Sequence, residues 1–332
     1  MPNWFPESFH ATIDVVDFKN NLHFMAVFYN RTRKFTAFFA FNNVDYVPFL
    51  PYVPENTTHE AVYRDFVYGI QYTQQIHGYT CRQFGPLDLG YADVEIVDDV
   101  VELKSAENML LETIGIVLIN RRSVFKAPRE LDYEKQEIIE VSINNGKLER
   151  IKHYFKNNKY HLKGFNIYDI YEDPLHGVNA VSINSSGLAF CGPSLVFRMK
   201  FNLTPDDFTL LKLNNFKHYI FENLADIVGI SLLRITNIQE IFQPKHRELT
   251  FRFADTSFFN STVTVNGKRN LNNEDFKKVM KEKIEAGGIT LNIVTNEKTE
   301  HKVEIFSFEE DSESVDEAHP NLNSENHERT HV

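Results

Sequence analysis

The fold of the first half of this chain is decided by Leu22-His23-Phe24-Met25-Ala26-Val27-Phe28, which continues after a short turn as Phe35-Thr36-Ala37-Phe38-Phe39-Ala40-Phe41. In both segments apolar side chains recur at every second position, which is the period of a β-strand. The turn Asn30-Arg31-Thr32-Arg33 is short and polar, as in a hairpin. Residues 9–15 alternate in the same way, so the sequence predicts an antiparallel meander with an aromatic face. Five phenylalanines are expected on that face: Phe24, Phe28, Phe35, Phe39 and Phe41.

Further strands are expected beyond the meander. Residues 62–84 and 94–103 resume the strand pattern, and Asn144-Asn145-Gly146 is a strong turn signal at the centre of another hairpin. Residues 156–194 are rich in Asn, Gly and Tyr and only weakly periodic, so they are expected to close the domain. The sequence therefore predicts an antiparallel β domain over residues 5–192.

The pattern changes at residue 193, where strands begin to alternate with capped helices. Thr204-Pro205-Asp206-Asp207 has an N-cap, a proline at the first helical position and two acids in the first turn. Gly229 stands where that helix should end, and a second helix is expected between Asn272 and Gly287-Gly288. With the strands around them, the order is β-α-β-β-α-β, the ferredoxin-like plan. Residues 193–306 are predicted to form this domain, and the fold class of the chain is α+β.

The charge of the chain excludes some classes of partner. The 332 residues carry a formal net charge of −11, which opposes nucleic-acid binding through phosphate contacts. Much of the acidity lies in residues 307–332, which lack apolar content and are predicted to be a disordered acidic tail. No stretch approaches the roughly 20 apolar residues that a membrane-spanning helix needs. Residues 1–4 have no signal-peptide character, so the chain is either cytosolic or a piece of a longer precursor.

Two features favour the secretory route. The chain has only two cysteines, Cys81 and Cys191, with no CxxC motif, which fits one structural disulfide. The alternative is a pair of unrelated buried thiols. The chain also has five N-glycosylation sequons. These begin at Asn30, Asn56, Asn184, Asn202 and Asn260.

No motif that carries its own chemistry is present. The sequence has no nucleophile elbow, P-loop, zinc-protease motif or EF-hand loop, and its 13 histidines are scattered. We therefore predict no catalytic residue, metal or cofactor. The aromatic face is the candidate binding surface, for a lipid or another apolar small molecule. The alternative is an ordinary core that a helix or second sheet covers.

Three short segments follow the aromatic meander: Tyr68-Gly69-Ile70-Gln71-Tyr72, Thr80-Cys81-Arg82 and Pro86-Leu87-Asp88. With the meander, they make residues 5–190 resemble the ependymin-related and LolA-like group of extracellular proteins. The resemblance implies a strongly curved antiparallel sheet, like half a barrel, with an apolar cavity for lipid-like ligands.

The second domain has a resemblance of its own. Phe197 to Leu203, Phe221-Glu222-Asn223-Leu224-Ala225, and Arg234 to Ile238 look like parts of an SEA-like domain of cell-surface proteins. The resemblance covers residues 195–306 and implies a role in spacing, adhesion or assembly. The glycine-serine signature of self-cleavage is absent, so no autoproteolysis is expected.

The leading interpretation is a non-enzymatic, secreted or cell-surface ectodomain segment. Its first domain binds a lipid-like ligand, and its second contacts other extracellular proteins or acts as a spacer. Two alternatives stay open. One is a cytosolic α+β protein or enzyme whose site is assembled from distant residues, and the other is a purely structural interaction module.

Overall fold

A computed structural model describes most of the chain in segments. These are residues 8–16, 22–40, 60–75, 80–89, 93–105, 116–119, 122–125, 135–144, 147–157, 162–172, 188–189, 191–202, 216–242, 246–257, 259, 264–265, 271–294 and 300–311. Several predicted features lie outside the described residues: the helix start at 204–207, the tail beyond 311, Phe41, Asn56, Asn184 and Asn260.

The described residues are mostly β-strand with two α-helices, so the sheet-rich α+β class is confirmed. The strands are β1 Ser8–Val16, β2 Leu22–Asn30, β3 Phe35–Ala40, β4 Glu60–Asp65, β5 Ile70–Gln75, β6 Thr80–Pro86, β7 Val94–Val97, β8 Val100–Leu103, β9 Ile116–Ile119, β10 Arg122–Phe125, β11 Lys135–Asn144, β12 Lys147–Asn157, β13 Leu162–Glu172, β14 Ser194–Asn202, β15 Ile235–Phe242, β16 Arg247–Ala254, β17 Thr264–Val265, β18 Ile289–Val294 and β19 Glu300–Glu310. The helices are α1 Phe216–Val228 and α2 Asn273–Glu285.

The first domain is built on one antiparallel sheet of nine strands, in the order β11-β12-β13-β1-β2-β3-β4-β5-β6. The predicted meander forms the β1 to β6 side, and the predicted hairpin of β11 and β12 is confirmed on the other side. Residues 156–194, which are only weakly periodic in sequence, include a regular strand at Leu162–Glu172. This segment is β13, which pairs along its length with both β1 and β12. Its partners, rather than its own alternation, specify it as a strand.

Two smaller sheets accompany the large one. β7 and β8 form a hairpin whose turn residues Asp98 and Asp99 both have positive φ, at 49° and 62°. β17, from the second half of the chain, pairs in parallel with β8. β9 and β10 form a separate antiparallel pair.

The second domain has a five-stranded antiparallel sheet in the order β15-β16-β14-β19-β18. Both helices pack on one face of it, where Phe221 of α1 contacts Phe251 and Phe276 of α2 contacts Phe197. The ferredoxin-like order is not confirmed. In that plan the strand after the second helix lies beside the first strand, whereas here β18 lies at the edge and β19 takes the inner position.

The predicted helix ends of the second domain agree with the structure. Asn272 caps α2 by accepting a hydrogen bond from the backbone N–H of Asp275 at 2.7 Å. Gly229 follows α1 with φ of +81°, a conformation that favours glycine at a helix C-terminus.

The boundary at 306 between the second domain and the tail is misplaced. β19 continues to Glu310 because Phe308 is buried and stacks on Phe197, with ring centroids 4.8 Å apart. The three acids after it meet basic partners: Glu309 pairs with Lys200, Glu310 with Lys277 and Asp311 with Arg198. Residues 307–310 of the expected acidic tail therefore form the end of a strand. The acidic side chains from Glu309 to Asp311 are paired with basic ones.

Candidate functional site: the aromatic face and its cover

One ring from each of six consecutive strands forms a continuous aromatic row across the first sheet. The row consists of His10, Phe28, Phe39, Tyr63, Tyr72 and Phe84. Ring centroids along it lie 5.7, 5.6, 5.6, 6.2 and 6.5 Å apart, the spacing of rings in contact.

Strand register places these rings on one face. Phe28 lies opposite His10 on one side and Ala37 on the other, and Tyr72 lies opposite both Tyr63 and Phe84. Because directly paired residues point to the same side of a sheet, the row follows from the pairing. The apolar residues of β1 belong to the other face, since Phe9 lies opposite Tyr29.

The structure divides the five phenylalanines of the predicted site. Phe28 and Phe39 are half-buried and contact each other edge to face. Phe35 is only 6% exposed and belongs to the core. Phe24 lies in β2, but its side chain is outside the described part of the structure, as is the whole of Phe41. Sequence reasoning missed Tyr63, Tyr72 and Phe84, although their alternation along residues 62–84 was a usable signal.

Exposure falls along the aromatic row. His10, Phe28 and Phe39 are half-buried, whereas Tyr63, Tyr72 and Phe84 are 4%, 0% and 9% exposed. The change coincides with a cover from the second domain. That cover consists of Leu232, Leu233, Ala254 and Phe259, with Leu188 from the connecting segment. Phe259 contacts Phe84 with a centroid distance of 5.2 Å. We call the first three rings the open half of the row and the last three the covered half.

The connecting segment 188–193 is attached to both domains. On the first domain, the Tyr72 hydroxyl donates to the Ala189 carbonyl at 2.8 Å and Cys191 forms the predicted disulfide with Cys81. On the second domain, the Asn237 N–H donates to the Leu188 carbonyl and the Asp255 N–H to the Pro193 carbonyl. Residues 188–189 and 191–193, which we call the strap, are therefore tied to both domains around the boundary expected near residue 192.

A buried carboxylate joins the domains beside the strap. The Ser231 hydroxyl donates to Asp65 at 2.6 Å, and the backbone N–H groups of Val67 and Tyr68 donate to the other carboxylate oxygen. Burial raises the pKa of Asp65 to about 6, although the hydrogen bond from Ser231 and those from the two N–H groups act in the opposite direction. Burial, with the charges of Asp65 and Asp226, raises the pKa of Tyr68 to about 12.

An ion pair adds to this domain contact. Arg33, in the turn between β2 and β3, pairs with Glu222 of α1 and lies 3.7 Å from Asp226. Glu222 is 5% exposed, so the pair is sheltered from solvent on the helix side. The turn at Arg33 thus contacts α1, and Asp65 at the end of β4 contacts the segment that follows α1.

The opposite face of the first sheet is closed by residues 93–104. Arg64 and Asp93 form a fully buried ion pair, and the Thr36 hydroxyl donates to Asp93 at 2.6 Å. The Arg64 guanidinium also lies 5.1 Å from the Phe38 ring centroid. At the same face the Tyr29 hydroxyl donates to the Lys104 carbonyl. The open half of the aromatic row therefore lies on the other side of the sheet from this polar cluster.

Comparison with known families finds two matches, one in each domain. Residues 1–117 match a family model described as the metazoan second LolA-like domain. Residues 194–313 match a domain of unknown function, DUF7959. No match is found among curated proteins. The first match supports the resemblance of residues 1–117 to LolA-like domains.

Two negative findings apply to the described part of the chain. Its helices include none that is long and apolar enough to cross a membrane. Within the same segments, no group of three His, Cys, Asp or Glu side chains is arranged to hold a metal ion.

Proposed function

We propose that the first domain binds a single-chain lipid or a similar apolar molecule on the open half of the aromatic row. The observation that carries this proposal is the change in exposure along one continuous row of rings. Phe28 and Phe39 are only partly buried, although the adjoining rings of the same row are buried core. Rings in this state gain free energy when an apolar chain covers them, at about 25 cal/mol per Å² of apolar surface removed from water.

The LolA-like match supports the same class of ligand, and the domain type favours binding over catalysis. The alternative of an enzyme with a dispersed site has one candidate group, the Asp65 carboxyl with its raised pKa. Both of its oxygens already accept hydrogen bonds, one from Ser231 of the second domain and the others from the Val67 and Tyr68 N–H groups of its own turn. Those contacts favour a structural role for Asp65.

Extracellular location is part of the proposal. The Cys81–Cys191 disulfide and the metazoan LolA-like match both favour an oxidising compartment. A spacing or adhesion role for the second domain, with extracellular protein partners, stays a prediction from its SEA-like resemblance. Expression through a secretory host tests the compartment. Reduced cysteines together with unmodified sequons would contradict it.

Ligand binding is tested on protein purified from that host under non-denaturing conditions. Native mass spectrometry should show a retained lipid, and a fluorescent apolar dye should be displaced by added fatty acid. The Phe28→Ser and Phe39→Ser variants each remove one ring of the open half and should weaken displacement about tenfold. Phe306→Ser is the matched control, because Phe306 is 39% exposed on the second domain. Equal affinity in all three variants would overturn the proposal.

A further inference from the structure

The second domain covers the aromatic row at one definite place. Tyr63 of β4 is the first ring of the covered half, and Leu233 and Phe259 belong to the apolar cluster above it. Leu233 is fully buried, and Phe259 packs on Phe84 at the far end of the row. The apolar face of the first sheet therefore continues beneath the second domain and stays apolar there.

We propose that the second domain is the end wall of the ligand site, and that Leu233 limits the length of the apolar chain that the site accepts, with Phe259 behind it over Phe84. This inference rests on the proposed function and assigns a role to the domain of unknown function. A chain that lies along the open half over Phe28 and Phe39 points toward Tyr63, which is buried in the same apolar cluster as Leu233. A longer chain gains no more apolar contact once it reaches that wall.

The wall is fixed rather than loosely apposed. Ser231 is two residues from Leu233 and donates its hydroxyl proton to buried Asp65, and the Ser231 oxygen also accepts from the Leu233 N–H at 3.3 Å. On the other side of the cluster, the disulfide holds Cys191 of the strap against β6. Because the first domain anchors the cover from two directions, a ligand cannot lengthen its site by displacing the second domain.

Truncation of a wall residue should lengthen the site by a defined amount. Leu233→Ala removes about three carbon atoms from the cluster, and a cavity lined by apolar groups stays dry and accepts apolar molecules. The preferred chain length should therefore rise by about two to four carbons in Leu233→Ala. Phe259→Ala should move the preference less than Leu233→Ala does, because Phe259 packs on Phe84 at the far end of the row.

The experiment measures dye displacement by saturated fatty acids of about 10 to 20 carbons, using the full chain with its disulfide intact. Leu291→Ala is the matched control for Leu233→Ala, because Leu291 is also fully buried but belongs to the core of the second domain alone. Phe306→Ala is the control for Phe259→Ala. Both controls should keep the chain-length preference of the wild type.

The outcomes separate the two proposals. If Phe28→Ser weakens displacement by every fatty acid but Leu233→Ala and Phe259→Ala keep the wild-type preference, the end wall is overturned and the binding site stands. If the controls shift the preference as far as the wall variants do, the end wall is again overturned. If the wild type binds none of the fatty acids, both proposals fail.

Discussion

At the residue scale, Asp65 links the two domains and makes their contact sensitive to pH. Its folded-state pKa of about 6 is above the ordinary value of 3.8, because burial disfavours the carboxylate. The folded protein therefore binds the proton of the Asp65 carboxyl group more tightly than the unfolded chain does. The stability that the protonated Asp65 carboxyl contributes is fully present below about pH 4. It is lost as the pH rises through 6, and above that pH the stability of the protein no longer depends on this group's titration.

Asp65→Asn should remove this dependence. Asn keeps an oxygen for the N–H groups of Val67 and Tyr68, and its amide can donate to the Ser231 hydroxyl, which can rotate. Relative to the variant, the wild type should lose about 2–2.5 kcal/mol of unfolding free energy between pH 4 and pH 7.5. Denaturant titrations at the two pH values measure this difference. Asp99→Asn, at an exposed hairpin turn, is the control, and an equal loss in Asp65→Asn would contradict the assignment.

Two sequon asparagines lie among the described residues, and their surroundings differ. Asn202 is exposed at the end of β14. Asn30 is half-buried, and its side-chain oxygen accepts from the Arg33 N–H at 2.9 Å, in the turn that pairs with α1. A glycan on Asn30 would crowd that domain contact. We therefore expect higher glycan occupancy at Asn202 than at Asn30.

Peptide mass spectrometry of protein from a secretory host measures both occupancies, with Asn30→Gln and Asn202→Gln assigning the peaks. Loss of Asn202 should remove most of the glycan mass contributed by these two sites. Dominant occupancy at Asn30 would show that the turn is more accessible than its contacts indicate.

At the element scale, the end of β19 carries the second core beyond residue 306. A chain that stops at Asp311 keeps Phe308 and the three acids paired with Lys200, Lys277 and Arg198. A chain that stops at Phe306 loses them, and the lost burial of Phe308 alone should lower the unfolding free energy by about 3 kcal/mol or more. The exposed ion pairs add little. Thermal denaturation of the two chains makes the comparison, and equal midpoints would mean that Phe308 contributes nothing.

Elements with local signals could be predicted from the sequence. Asn272 and Gly229 mark helix ends through their own side chain or backbone, and the turn at 144–146 defines its hairpin without help from distant residues. β13 could not be predicted, because Gly164 and its polar neighbours interrupt the alternation and its pairing partners lie far away in the chain. The strand order of the second sheet could not be predicted either, because it also depends on pairing between distant parts of the chain.

The candidate site likewise has features that the local sequence could predict and features that it could not. Periodicity placed Phe28, Phe35 and Phe39 on one side of their strands, and register confirms that they share a face. Nothing local indicated that Phe35 would be buried while Phe28 stayed half-exposed. The burial of Phe35 depends on tertiary packing, since its apolar cluster includes Leu233 and Ala254, roughly two hundred residues later in the chain.

At the scale of the whole molecule, the two domains share a core. The apolar cluster over Tyr63 and Tyr72 takes side chains from both, and β17 joins the hairpin of β7 and β8. The strap at 188–193 contacts both domains within six residues. The chain should therefore unfold as one cooperative unit rather than as two independent domains.

The disulfide is the covalent part of this coupling, and its removal tests it. Cys81 and Cys191 are separated by 110 residues, so the bridge constrains a long loop of the unfolded chain. The Cys81→Ser, Cys191→Ser double variant should lose about 2–4 kcal/mol of unfolding free energy. Its strap should also exchange backbone amide hydrogens faster, because the tie to β6 is gone while the hydrogen bonds to the second domain remain. Hydrogen exchange of the variant and the oxidised wild type measures this, with β18 as the internal control. Equal protection of residues 188–193 in both proteins would mean that the noncovalent contacts hold the strap by themselves.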